Sequence, residues 1–60
     1  MSPLAEVIRR EIEGRPQQFA EVVDAHREVA WRELLKAWGE LRAANILTRD
    51  DDGNYVIGKT

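Results

Sequence analysis

Apolar residues at Trp31, Leu34, Leu35, Trp38 and Leu41 recur at the i, i+3, i+4, i+7 spacing that gathers side chains on one helical face. Arg32, Glu33, Lys36, Glu40 and Arg42 fall largely elsewhere and leave that helix a polar side. The spacing predicts a helix over about 31–45, stopping near Asn45, which tolerates the left-handed conformation that helix ends often need. Upstream, Ser2-Pro3 opens another helix. The serine side chain accepts a bond from a free amide, and proline suits the first helical position. Leu4, Val7, Ile8 and Ile12 make its apolar stripe, and Glu6 and Arg10 form an i, i+4 pair. Gly14 serves as the cap, and Arg15-Pro16 forbids continuation, so helix one spans about 3–14.

Gln17-Gln18-Phe19 fits either a single extended turn or the start of the next helix. From Phe19 the inward positions run 19, 22, 23, 26 and 29 once His26 is counted among them. No Gly or Pro separates Val23 from Trp31, so local signals also allow one unbroken helix from 19 to 44. Such a helix would have little to pack against in a chain this short. A tight turn near Glu28-Val29-Ala30 lets both halves bury their faces on helix one, which gives a second helix over about 18–27. After Asn45 the period changes. Ile46-Leu47-Thr48-Arg49 and Tyr55-Val56-Ile57 flank Asp50-Asp51-Asp52-Gly53-Asn54, a strong hairpin signal with strands about 46–50 and 54–58. A three-residue loop, Asp51-Asp52-Gly53, with a left-handed Gly53, pairs Leu47 with Ile57 and Arg49 with Tyr55 on one face. A two-residue loop would scatter the apolar residues over both faces, so the longer loop is preferred. Gly58-Lys59-Thr60 is expected to fray.

Sixty residues make one domain. A chain of this size buries only about 60% of the surface its unfolded form exposes, so its core is thin. With no Cys and one His, disulfides and thiolate metal sites are excluded and a structural zinc is not expected; no cofactor is implied. Helix packing or oligomerisation must supply the stability. No apolar run is long enough for a membrane span, and Met1-Ser2-Pro3 does not open a signal peptide, so a cytoplasmic protein is expected. The net charge is −2 with the signs interspersed, an ordinary soluble surface and not a polyanion-binding tail.

Three helices followed by a hairpin is the order of a winged helix-turn-helix domain. The stretch Leu41-Arg42-Ala43-Ala44-Asn45-Ile46-Leu47 is similar to the end of that family's third helix, where a Gly or Asn leads into an apolar pair opening the wing. Leu34 and Trp38 sit where the family keeps apolar residues on the third helix, Val29 where it keeps the buried residue of the turn, and Asp50–Asn54 would be the wing tip. The turn lacks the family's usual Gly, and the wing tip is acidic. In apolar spacing the chain also resembles the small winged-helix protein that accompanies dissimilatory sulfite reductase. The family resemblance implies base-edge contacts from Arg32, Lys36, Arg27 and Glu33, and phosphate contacts from Arg49 and Lys59. The charge balance is less favourable. Residues 26–45 carry four cations against three carboxylates, and residues 48–54 carry Arg49 against three Asp. A solvated helix face is the plain alternative for these cations.

Other chemistry is weak. His26 has Asp24 two residues away, but Ser2 is the only Ser and serves as a cap, so a catalytic triad is not credible. Glu11, Glu13, Glu21 and Asp24 have no evident cleft to shift their pKa values. Asp50-x-Asp52-x-Asn54 resembles the opening of a calcium loop, but the sixth position is Tyr55 where Gly is required. No catalytic or metal residues are therefore assigned, and an enzyme is not expected. Trp38, mid-helix, belongs in the core. Trp31, at the helix start, goes inside by default; left partly exposed beside Val29, it would suit a protein interface. Two functions stay open. One is a small stand-alone regulator of transcription that binds duplex DNA, as a dimer because the core is thin and one reader offers few contacts. The other is a winged helix that binds protein through Val29 and Trp31, as accessory or regulator of an enzyme system. A continuous basic stripe favours the first; a neutral face with exposed aromatics favours the second.

Overall fold

The computed structural model describes residues 1–58; Lys59 and Thr60, and with them the Lys59 phosphate contact and the expected fraying of that pair, lie outside the described residues. The order is α1 (Pro3–Gly14), α2 (Phe19–Ala25), α3 (Trp31–Ala43), β1 (Leu47–Arg49) and β2 (Tyr55–Ile57). The arrangement is that of a three-helix winged helix-turn-helix.

Helix α1 starts as its residues dictate. The Ser2 hydroxyl accepts the Ala5 amide at 3.2 Å, and Pro3 occupies the first turn. It ends without a left-handed glycine: Arg15 before Pro16 is extended at φ −158°, so the chain leaves the helix directly and Gly14 is simply its last residue. The expected Glu6–Arg10 pair does not form. Arg9 instead bridges Glu6 and Glu13, each at 3.1 Å. The stripe is also shifted, since Ala5, Ile8 and Ile12 are buried while Val7 is exposed. At 3.6 residues per turn, Val7 falls well round the helix from Ala5, Ile8 and Ile12, toward solvent.

Gln17 resolves the ambiguous step before α2. It exchanges two backbone hydrogen bonds with Tyr55, at 3.1 and 2.6 Å, and so lays a short extended segment against β2. Helix α2 then begins at Phe19 under a capping box between Gln18 and Glu21. It stops at Ala25, two residues short of expectation, because the His26 amide already bonds back to both Val22 and Val23 and residues 26–28 turn. The break between α2 and α3 falls where packing demanded it. Helix α3 ends at Ala43, not at 45, and Asn45 takes the left-handed conformation (φ 59°) that reverses the chain.

In the wing, Leu47 faces Ile57 and Arg49 faces Tyr55, the register of the three-residue loop, and Gly53 is left-handed at φ 82°. Asp50 makes the turn: its Oδ1 accepts the amides of Asp52 and Asn54, both at 2.9 Å. Gly58 is not frayed, because its amide donates to the Ile46 carbonyl at 2.7 Å and extends the ladder. The core is Ala5, Ile8, Ile12, Val22, Leu34, Ala37, Trp38 and Leu41, with Phe19, Ile46, Leu47, Tyr55 and Ile57 packed around it. No helix among the described residues is long and apolar enough to cross a membrane.

Candidate nucleic-acid and protein interface on the third helix

Helix α3 buries Leu34, Ala37, Trp38 and Leu41. At 3.6 residues per turn, Arg32, Lys36, Gly39 and Ala43 then stand on the opposite side, facing outward. A Cβ placed on Gly39 would meet nothing within 4 Å, so no internal contact demands a glycine there. Mid-helix glycine costs about 1 kcal/mol relative to alanine. Its effect on the surface is to leave a low, flat stretch beside two long cationic side chains.

The two flanks of α3 differ. Toward α1, the Glu40 carboxylate accepts the backbone amide of Ser2 at 2.6 Å. That hydrogen bond holds its pKa below the usual glutamate range, with the chain's amino terminus and Lys36 adding smaller electrostatic help. Toward α2 and the wing, Trp31 and Leu35 sit one turn apart at the surface, 54% and 43% exposed. Their exposure corrects the expectation that both belong to the core. The buried stripe is centred on Leu34 and Leu41, which leaves positions 31 and 35 at its margin.

Aromatic rings connect this flank to the wing. Phe19 meets the edge of Trp31 at 6.3 Å between centroids and Trp38 at 4.8 Å; Trp38 meets Tyr55 edge-on at 5.0 Å. The Arg49 guanidinium lies over the outer face of this series, 5.0 Å from the Tyr55 ring centroid.

The cations sort by place. Arg9 and Arg15, on α1 and the loop after it, are in ion pairs with Glu6, Glu13 and Glu21, while Arg10 on α1 is exposed and has no ion pair among the described residues. Arg27, Arg32, Lys36, Arg42 and Arg49 are exposed and have no ion pair among the described residues. They occupy three places. Arg27 lines an open hollow at the turn together with Asp24, Glu28 and Val29, so carboxylates share its surroundings. Arg32 and Lys36 share the outer face of α3. Arg49 lies in a second groove with Arg42, Asn45, Leu47, Thr48 and Tyr55. Sequence reasoning assigns no role to Arg42, Asn45 or Thr48 in binding, because the groove depends on how the chain turns after α3.

Val29 is half-buried, its amide bonded to the His26 carbonyl at 2.9 Å. His26 itself is bound not to Asp24 but to Glu11, whose Oε1 lies 2.6 Å from Nε2. This contact ties the end of α2 to α1. Glu13 and Glu21 are likewise used in ion pairs, and no group of three or more metal-ligating side chains occurs among the described residues. Compared with protein-family models, curated proteins and solved structures, the chain matches none.

Proposed function

We propose that this chain is a small, non-enzymatic regulator that binds duplex DNA through the outer face of α3, acting in the cytoplasm as a dimer. The observation that carries this reading is the placement of Arg32 and Lys36, which project together from the outer face of α3 with no ion pair among the described residues. Arginine can grip a guanine edge with two bonds and lysine can neutralise phosphate. The bare stretch at Gly39 and Ala43 lets a groove wall or backbone come close. A dimer would double the contacts of a module too small to reach specific affinity alone. The test is a salt-titrated binding assay with duplex DNA on the parent and on an Arg32→Ala, Lys36→Ala double variant. Affinity should fall at least tenfold and the salt slope should shrink by about one to two, since each lost phosphate contact removes about 0.9. A parent that binds no duplex at about 50 mM salt sinks the reading.

A second reading is favoured by the exposure of Trp31 and Leu35. An exposed tryptophan beside an exposed leucine suits a protein interface, in keeping with an accessory or regulator of an enzyme system. In that case Trp31→Ala abolishes the complex and the Arg32–Lys36 pair matters little.

A further inference from the structure

We propose that two copies of this chain join through the free edge of β1, so that their wings form one continuous antiparallel sheet and the acidic tip of each wing lies on Arg42 of the other copy. That a dimer forms rests on the reading above; the edge of β1 decides where.

The hairpin's own hydrogen bonds leave that edge open. The Asp50 amide donates to the Asn54 carbonyl at 2.9 Å, and the Gly58 amide to the Ile46 carbonyl at 2.7 Å. Antiparallel strands alternate, so Ile46, Thr48 and Asp50 turn their backbone groups toward β2, while Leu47 and Arg49 turn theirs away. The same alternation sends the groups of Tyr55 outward from β2, where Gln17 meets them. Helix α1 also packs against β2. The edge of β1 has no such cover. Leu47 and Arg49 enter no backbone hydrogen bond beyond the hairpin among the described residues, and Thr48 and Arg49 are exposed. An open strand edge is a template for another strand.

Register and charge select a second copy as the occupant. Outward residues must pair with outward residues, which leaves few registers between two copies of β1. Pairing Arg49 with Arg49 sets like charges opposite each other. Pairing Leu47 with Leu47 sets Arg49 opposite Asn45, whose left-handed backbone is not that of a strand. Pairing Leu47 with Arg49 of the second copy uses every outward group on both strands. A two-fold axis then passes beside Thr48, and the two threonines lie side by side, a favourable cross-strand pair.

This register carries Asp50 and Asp51 of the second copy beside Ile46 and Asn45. There they meet Arg42, which shares a groove with Asn45 and Leu47 and has no ion pair among the described residues. Asp50 keeps its place in the turn, since the amides of Asp52 and Asn54 occupy only its Oδ1. By symmetry each contact forms twice. The tip that repels a phosphate backbone thus complements the root of a second wing, and Arg32 and Lys36 take no part.

The test is sedimentation equilibrium up to about 1 mM protein, on the parent, Arg42→Glu, Asp51→Arg and the two combined. Both positions are exposed, so the fold should survive, and circular dichroism checks it. The parent should show a monomer–dimer equilibrium that added salt weakens. Each single reversal should weaken it about tenfold, because the two-fold axis doubles every altered contact. The combined variant should recover most of the loss, since residue 42 of one copy faces residue 51 of the other. Hydrogen exchange needs no variant: in the parent, the Leu47 and Arg49 amides should slow as concentration rises, while the Thr48 amide, already turned toward β2, changes little. A parent that stays monomeric overturns the proposal. So does a dimer whose Leu47 and Arg49 amides exchange as in the monomer, or one abolished by Trp31→Ala and indifferent to the charge reversals. Duplex binding by a monomer keeps the DNA reading and sinks the wing interface; a wing dimer that binds no duplex does the reverse.

Discussion

Trp31 and Trp38 are seven residues apart on one helix, and both begin as members of the same apolar stripe. Trp38 is buried at 7% exposure between Phe19 and Tyr55, while Trp31 is 54% exposed and touches aromatic surface only at the edge of Phe19. Periodicity specifies which way a side chain points; it does not specify whether anything arrives to cover it. Trp38 is covered because the wing folds back and brings Tyr55 over it, held by the Gln17–Tyr55 bridge. Beyond the edge of Phe19, no aromatic ring of the described fold covers Trp31. The same residue type therefore supplies stability at one end of the helix and open apolar surface at the other.

The comparison is broken most forcefully at Trp38. Trp38→Ala should unfold the domain or leave it molten, because truncating a core tryptophan costs about 3–5 kcal/mol and a chain of this length holds only about 3–9 kcal/mol in all. Thermal melting followed by far-ultraviolet dichroism checks it. A variant that melts within a few degrees of the parent would mean that Trp38 contributes little and the contrast with Trp31 is empty.

What the sequence made legible follows from the range of the forces involved. Local chemistry was readable: Ser2-Pro3 starting α1, Asn45 ending α3, Gly53 in the turn and the Leu47–Ile57 register all depend on residues within a few positions. The break between α2 and α3 was readable from packing alone, since a short chain must fold back on itself. Long-range partners were not. The Glu11–His26 contact, the Ser2–Glu40 hydrogen bond and the Gln17–Tyr55 bridge join residues 15, 38 and 38 positions apart, and no local pattern announces them. The margins of the stripes failed for a related reason. Val7, Trp31 and Leu35 lie just beyond the contact area that three short helices can cover, while the small Ala5 and Ala37 fall inside it. For the candidate site, Arg27, Arg32, Lys36 and Arg49 could be named, but the presence of Arg42 in the same groove as Arg49 required the turn after α3.

Gly53→Val attacks the cover over Trp38 without touching the helix that carries it. A β-branched residue at a left-handed position costs about 1–2 kcal/mol, so the hairpin should loosen while the three helices persist. Loss of cross-strand signals between Leu47 and Ile57, with helical dichroism retained, is the expected outcome. Trp38 should become more accessible to a neutral quencher, and Trp31 should not change. Intact cross-strand signals would mean that the turn does not need a left-handed glycine.

Trp31→Ala should cost less than either, about 1 kcal/mol or below, because only an edge contact with Phe19 is lost from an exposed position. Chemical denaturation measures it, and fluorescence of the variant isolates Trp38. A loss approaching that of Trp38→Ala would place Trp31 in the core and remove the open apolar flank on which protein docking depends.

The smallest effect belongs to the flank opposite Trp31, where Glu40 ties α3 to the start of α1. Its carboxylate is held below the usual glutamate range by the Ser2 amide, so the ionised form is favoured by the folded state. A group whose folded pKa is depressed contributes stability above its unfolded value and loses it as pH falls through the folded one. Glu40→Gln keeps an acceptor for the amide but removes the charge. The parent should therefore be slightly more stable than the variant at neutral pH, and the gap should close as the solution is acidified through the glutamate range and below. Because the group is open to solvent, added salt should narrow the gap as well. Trp38 fluorescence reports unfolding in both proteins. A gap that is flat with pH would mean that the Ser2 amide binds a carboxylate no better than an amide oxygen, leaving the Glu40 flank held by packing alone and no better tethered by charge than the flank of Trp31.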